Sequence, residues 1–186
     1  MFWRVSMIRS LLVATAAAAV MAASPALAQQ VTKDEIASVK NFARLETTVA
    51  CGGATKTDAI PELKKMGYKA IFNLRLSTEE GANVPEEQAA AEAAGLHYFH
   101  VPFTPATPDL ASVDAFLKAI QDPANDPAFI HCSGGSRAAG FWFIKRVLVD
   151  HWDTDRAMQE ATGLGLVEPK MKAFVTDYVA AHRKQG

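Results

Sequence analysis

Short apolar runs alternate with helix-length stretches along most of this chain, and that rhythm restricts the fold more than any other feature. Thr47–Ala50, Lys69–Leu74, His97–Val101 and Ala128–His131 read as strands. Thr57–Met66, Pro85–Ala94, Leu110–Gln121 and Arg137–Val149 read as helices, with shorter ones near Thr154–Thr162 and Pro169–His182. Gly67 and Gly95 stand where two of these helices need a left-handed terminating residue. Thr32 and Glu35 have capping-box spacing, which predicts one more helix over Thr32–Phe42. Strands separated by helices form βα units. The expected architecture is therefore α/β, a central mostly parallel sheet of four to five strands flanked by helices. Such sheets bind ligands beyond the carboxyl ends of their strands. Three loops leave that edge: Arg75–Pro85, the proline-rich Pro102–Asp109, and Cys132–Arg137.

The last of these loops carries the chemistry. Phe129-Ile-His-Cys-Ser-Gly-Gly-Ser-Arg-Ala-Ala-Gly140 runs from an apolar strand through a small-residue loop into an apolar helix. Ser133, Gly134, Gly135 and Ser136 let backbone N–H groups converge on an anion, and the following helix adds the positive end of its dipole. A cysteine in that setting is expected to carry thiolate character, which makes Cys132 the candidate nucleophile. Arg137 supplies a planar fork for an oxyanion. Against this stands a plainer account, in which Cys132 is a small buried residue and the loop is merely tight. His, Cys, four small residues and Arg in that order, between a strand and a helix, favour the active loop.

The same residues resemble a known family. Gly52-Gly53 before a helix, Ile71-Phe-Asn-Leu-Arg75, Gly95-Leu-His-Tyr-Phe-His-Val-Pro102, His131-Cys132 with Arg137, and Gly163-Leu-Gly165 are similar to the cysteine-dependent phosphatases of the tyrosine/dual-specificity superfamily. They most resemble the bacterial phosphatase-like domain associated with beta-lactamase-like hydrolases, also labelled a sulfurtransferase family. The resemblance implies a cysteine-phosphatase-like fold, with Cys132 as nucleophile and Arg137 as oxyanion clamp. Two features depart from the superfamily pattern. Its phosphatases place five residues between Cys and Arg, whereas four stand here, the loop size associated with rhodanese-type sulfurtransferases that hold a persulfide. Its general acid is an Asp soon after a Val-Pro or Ile-Pro step, whereas here Val101-Pro102 leads to Phe103-Thr104-Pro105 and the first carboxylate is Asp109. Asp109 is thus a candidate acid, weighed against service as the first-turn carboxylate of the next helix. Three functions follow in order of preference: a phosphatase forming phosphocysteine at Cys132, a sulfurtransferase carrying sulfane sulfur there, and a non-catalytic anion-binding module. The substrate is phosphorylated or sulfur-bearing.

Other residues carry less. Arg75 either binds substrate anions or pairs with Glu79 or Glu80. His97 and His100 are three apart on a strand, so they face opposite sides and do not share a metal. His131 reads as a buried hydrogen-bonder that orients the loop, and Trp142 and Phe143 as core or groove wall. Cys51 is a small buried residue, a disulfide partner, or a resolving thiol for Cys132. The two cysteines form no disulfide scaffold, and no Cys/His set has zinc-site spacing. Neither a cofactor nor a metal is expected. With 19 Lys+Arg against 20 Asp+Glu, the chain lacks the basic field that nucleic acid requires.

The amino terminus has the layout of a secretory signal peptide. Arg4 and Arg9 precede an apolar run, Leu11–Ala23, and Ala26-Leu27-Ala28 forms a cleavage site. That run is shorter than the ~20 residues of a bilayer span. Residues 1–28 are expected to be removed, leaving one phosphatase-like domain over residues 29–186 in a periplasm or outside the cell, without stable membrane insertion.

Overall fold

A computed structural model describes residues 30–46 and 48–183. The leader expected at residues 1–28 lies outside the described residues. The two middle strands, β4 (Ala70–Asn73) and β6 (Ala128–His131), are buried along their whole length. Such continuous burial needs helices on both faces of a parallel sheet. The side chains sort by the two-residue strand period. Val49, Cys51, Ala70, Phe72, Ala128 and Ile130 enter one core, whereas Ala50, Ile71 and Phe129 enter the other. The first core is closed by α3 (Leu110–Ile120), α4 (Ser136–Leu148), α5 (Thr154–Leu164) and α6 (Pro169–Arg183). The second is closed by α1 (Ile60–Lys65) and α2 (Val84–Ala93).

The sheet has six strands in the order β1-β2-β3-β6-β4-β5. Here β1 is Val31–Lys33, β2 Ala43–Leu45, β3 Val49–Gly52 and β5 His97–His100. The four strands β3, β6, β4 and β5 are parallel, while β2 and β1 add antiparallel pairs at the β3 edge. The mostly parallel α/β sheet expected from the sequence is therefore present, with one or two more strands than expected.

The helix expected over Thr32–Phe42 is replaced by β1 and a turn-rich segment. Ser38 and Asn41 take positive φ values of 68° and 53°, which no helix accommodates. Val39 instead makes bridges to Ile36 and Thr55. Capping-box spacing alone was a weaker signal than the pairing partners on β2 and at Thr55, which lie downstream in the chain. The other helices form close to their expected limits, although Thr57–Ala59 is a 3₁₀ turn that leads into α1. Gly67 and Gly95 have the left-handed φ expected of them.

No helix among the described residues is long and apolar enough to cross a membrane.

Candidate active site

The end of β6 delivers Cys132 to the carboxyl edge of the sheet between β3 and β4. Its N–H donates to the carbonyl of Gly52, which continues the β3–β6 ladder by one rung. The chain then turns through Ser133–Ser136 into α4. Gly135, at the α4 N-cap, has φ of 102°, a conformation that glycine adopts without strain. That turn brings the Gly135 N–H to 3.1 Å from the Cys132 Sγ. Gly53 supplies close approach on the other side, because a Cβ there would lie 3.0 Å from the carbonyl oxygens of both Lys40 and Ser133. Its neighbour Ala54 donates to the Ser133 carbonyl at 3.0 Å. Asn41, from the turn before β2, donates through Nδ2 to the Gly134 carbonyl at 3.0 Å. Two carbonyls of the loop are thus turned to neighbours. Among the described residues, the N–H groups of Ser133, Gly134, Ser136 and Arg137 donate to no acceptor of the fold. Unused amides around a helix N-terminus form an anion cradle.

Cys132 is only 1% exposed and sits at the base of this loop. Arg137, 8% exposed, is the residue that ties the three edge loops together. Its Nη1 donates to the carbonyls of Leu74 at 3.0 Å and Phe103 at 2.8 Å. Its two terminal nitrogens meet Glu79 as a fork on a fork, Nη1 to Oε1 at 2.6 Å and Nη2 to Oε2 at 2.8 Å. Nη2 also donates to the Ser133 hydroxyl at 2.9 Å. Burial works to lower the guanidinium, but Glu79 and Cys132 outweigh it and hold Arg137 above its ordinary value. Burial likewise works to raise the Glu79 carboxyl. The hydrogen bonds from Arg137 and the Leu76 N–H, with the charges of Arg137 and Arg75, leave it below the usual carboxylate range. Glu79 therefore stands ionised and fixes the fork. Sequence reasoning weighed it only as a partner for Arg75, since its real partner lies 58 residues away.

Three expected site residues take up different duties. Arg75 is buried, and its guanidinium donates to the carbonyls of Gly81 at 2.8 Å and of Glu80, with Glu79 Oε2 3.5 Å from Nε. It anchors the loop that carries Glu79, one of the two partners the sequence offered it. Ser136 lies on the cradle, but its hydroxyl accepts the N–H groups of Val167 at 3.2 Å and Glu168 at 3.0 Å. It docks the α5–α6 connector. Asp109 is the N-cap of α3, with one oxygen 3.0 Å from the Ala111 N–H and the other 3.1 Å from the Ser112 hydroxyl. This is the helix-cap role, and no bond joins Asp109 to the cradle among the described residues.

Behind the cradle, His131 is wholly buried with Nε2 2.7 Å from Glu87 Oε1. Cys51 is a free buried thiol on β3. Burial pushes it well up, and the charge of Cys132 adds to the effect. Trp142 and Phe143 are core residues of α4. His97 and His100 go to Asn125 and the Arg75 carbonyl respectively. A groove of about 970 Å³ adjoins the cradle at Gly134, between the Lys33–Ala43 segment and the end of α5 with its connector, Gly163 to Val167.

Comparison with known proteins agrees with this geometry. A family model described as beta-lactamase hydrolase-like protein, phosphatase-like domain, matches residues 41–149. The beta-lactamase hydrolase-like protein of Xylella fastidiosa is 33% identical over 123 residues, covering 63% of this chain and 28% of that protein. The chain thus spans about a quarter of the length of the curated relatives it matches. Among solved structures, a DUF442 protein of Shewanella putrefaciens has a TM-score of 0.63 at 22% identity, covering 77% of this chain and 93% of that one. A cysteine-to-serine variant of P. aeruginosa TpbA in complex with pTyr has a TM-score of 0.62 at 18% identity, covering 88% and 100%. At these identities the structural likeness is one of fold, that of the cysteine phosphatases.

Proposed function

The chain belongs to the family of phosphatase-like domains of beta-lactamase hydrolase-like proteins, and we propose that it is an exported cysteine-dependent phosphatase of the tyrosine/dual-specificity type. The observation that carries this proposal is the cradle. Four unused N–H groups, a sulfur taking the Gly135 amide and a locked Arg137 fork all belong to the one loop that runs from Cys132 into α4. In the proposed reaction the Cys132 sulfur forms a bond to phosphorus as the bond to the leaving oxygen breaks. Water then hydrolyses the phosphocysteine and restores the sulfur. Loop amides and Arg137 stabilise the charge on the equatorial oxygens. The substrate is a phosphate monoester. The test is release of phosphate from an aryl phosphate by the purified protein, with Cys132→Ser as the control.

With both Asp109 oxygens engaged at the helix cap, the leaving oxygen takes its proton from solvent. Asn caps a helix about as well as Asp. Asp109→Asn should therefore change aryl phosphate turnover by less than about twofold, since leaving groups of this kind need little protonation. A loss of tenfold or more, greater still for alkyl esters, would make Asp109 the acid.

A second chemistry rests on one specific feature, the four-residue spacing between Cys132 and Arg137. A terminal persulfide sulfur demands fewer amides than a phosphoryl group with three equatorial oxygens. Incubation with thiosulfate discriminates the two: sulfane sulfur left on Cys132 and passed to cyanide would favour sulfurtransfer. Export rests on the Arg4/Arg9, apolar and Ala26-Leu27-Ala28 layout. The mature protein from the cell envelope should begin at Gln29, and a chain from that fraction beginning at Met1 would contradict it.

A further inference from the structure

We propose that Glu87 is a positioning residue for Cys132, acting through His131; the proposal rests on the nucleophilic role of Cys132. Strand alternation turns Cys132 toward the α4 core and His131 toward the α2 side of the sheet, where the His131 ring stacks on Phe129 at 5.5 Å and 4°. On that side α2 presents Glu87, a buried carboxylate with no part in the reaction. Glu87 Oε1 lies 2.7 Å from His131 Nε2, a close polar contact without the alignment of a good hydrogen bond. Two lone pairs at that separation would repel, so the contact assigns the proton to Nε2. His131 Nδ1 is buried without a partner, and a bare acceptor is tolerated there more readily than an unpaired donor.

The other Glu87 oxygen is tied down as well. Asn73 Nδ2 donates to Oε2 at 2.9 Å and to the Tyr98 hydroxyl at 2.9 Å, while Asn73 Oδ1 accepts the Arg75 N–H at 2.8 Å. Arg75 in turn holds the loop that presents Glu79 to Arg137. One buried network thus reaches the residue before the nucleophile and the loop behind the clamp. Within that network Glu87 supplies the polar side-chain contact to the His131 ring, while Asn73 is the register partner of His131 on β4.

Asn73 Nδ2 and His131 Nε2–H both face Glu87 as donors, beside the Tyr98 hydroxyl. A carboxylate accepts from both. A glutamine has one oxygen and one NH₂, so Glu87→Gln sets a donor against a donor or moves the proton on His131 to Nδ1. The expected result is a kcat for aryl phosphate lower by about tenfold, with KM nearly unchanged and a cooperative melt preserved. Glu87→Asp, which keeps the charge but shortens the reach, should recover part of that loss, and it reads the same role if Glu87→Gln does not fold.

A double-mutant cycle with His131→Asn decides the route. If Glu87 acts through His131, Glu87→Gln adds nothing in the His131→Asn background. Nitrogen-15 NMR of labelled histidines gives a reading independent of turnover: Nε2 protonated in the wild type, and changed in Glu87→Gln. Additive losses, an unchanged kcat in a folded Glu87→Gln protein, or a wild-type His131 with bare Nε2 would each overturn the role of Glu87. A wild-type protein without aryl phosphate turnover would overturn the phosphatase function itself, and the role of Glu87 with it. The NMR result tells the two failures apart.

Discussion

Cys132→Ser is expected to abolish phosphate release from aryl phosphates, by at least about 10⁴-fold, while leaving the fold intact. A serine hydroxyl fills the same space and accepts the Gly135 N–H that the sulfur now takes at 3.1 Å. The cradle should therefore keep its shape. What disappears is the nucleophile, because a serine without an adjacent general base is a far weaker one. Among the described residues nothing near this position offers such a base. His131, the nearest imidazole in sequence, turns to the opposite face of the sheet and contacts Glu87. Steady-state kinetics with a melting curve measures both parts. Residual turnover well above that level in a folded variant would remove Cys132 from the reaction.

Arg137→Ala should cost about 10²–10³-fold in kcat/KM. Two losses combine. The cradle loses the cation that faces the transferred oxyanion, and the edge loses the side chain that joins Leu74, Phe103 and Glu79. Glu79 would keep the Leu76 N–H at 2.9 Å and the 3.5 Å contact with Arg75, and a carboxylate left ionised beside the cradle opposes an incoming phosphate. Arg137→Lys should rescue little, since a point charge does not replace a fork engaging both Glu79 oxygens. A loss below about threefold would mean that the loop amides alone bind the oxyanion. The double variant Arg137→Ala, Glu79→Gln separates the two losses: partial recovery assigns the difference to the orphaned carboxylate.

The parallel core was legible because β3, β4 and β6 are buried on both faces and so read as apolar runs, with helix stops at Gly67 and Gly95 between the elements. The cradle was legible for a similar reason, since cysteine, small residues and arginine are contiguous in the chain. The edge pair β1–β2 was not. Three-residue strands carry too little pattern, and their register is set by pairing, β2 on β3 and β1 on β2, rather than by local propensity. The same limit governs the site. Glu79 reaches Arg137 across 58 residues and Asn41 reaches Gly134 across 93, so neither contact leaves a local trace. Arg75 ends a buried strand at the right edge, and in the sequence it read equally as an anion ligand or as a partner for Glu79 or Glu80. Only the carbonyls of Glu80 and Gly81 reveal it as the anchor of a loop. For Asp109 the local evidence pointed both ways, and the geometry favours the cap through its bonds to Ala111 and Ser112.

The covalent intermediate is the most direct measure of the central claim. Wild-type protein mixed with an aryl phosphate, quenched in acid and digested for mass spectrometry should carry a phosphoryl group on the peptide containing Cys132. The adduct should be absent from Cys132→Ser and accumulate when the second step is slowed. Phosphate release from the wild type with no phosphoryl group ever found on Cys132 would contradict the account.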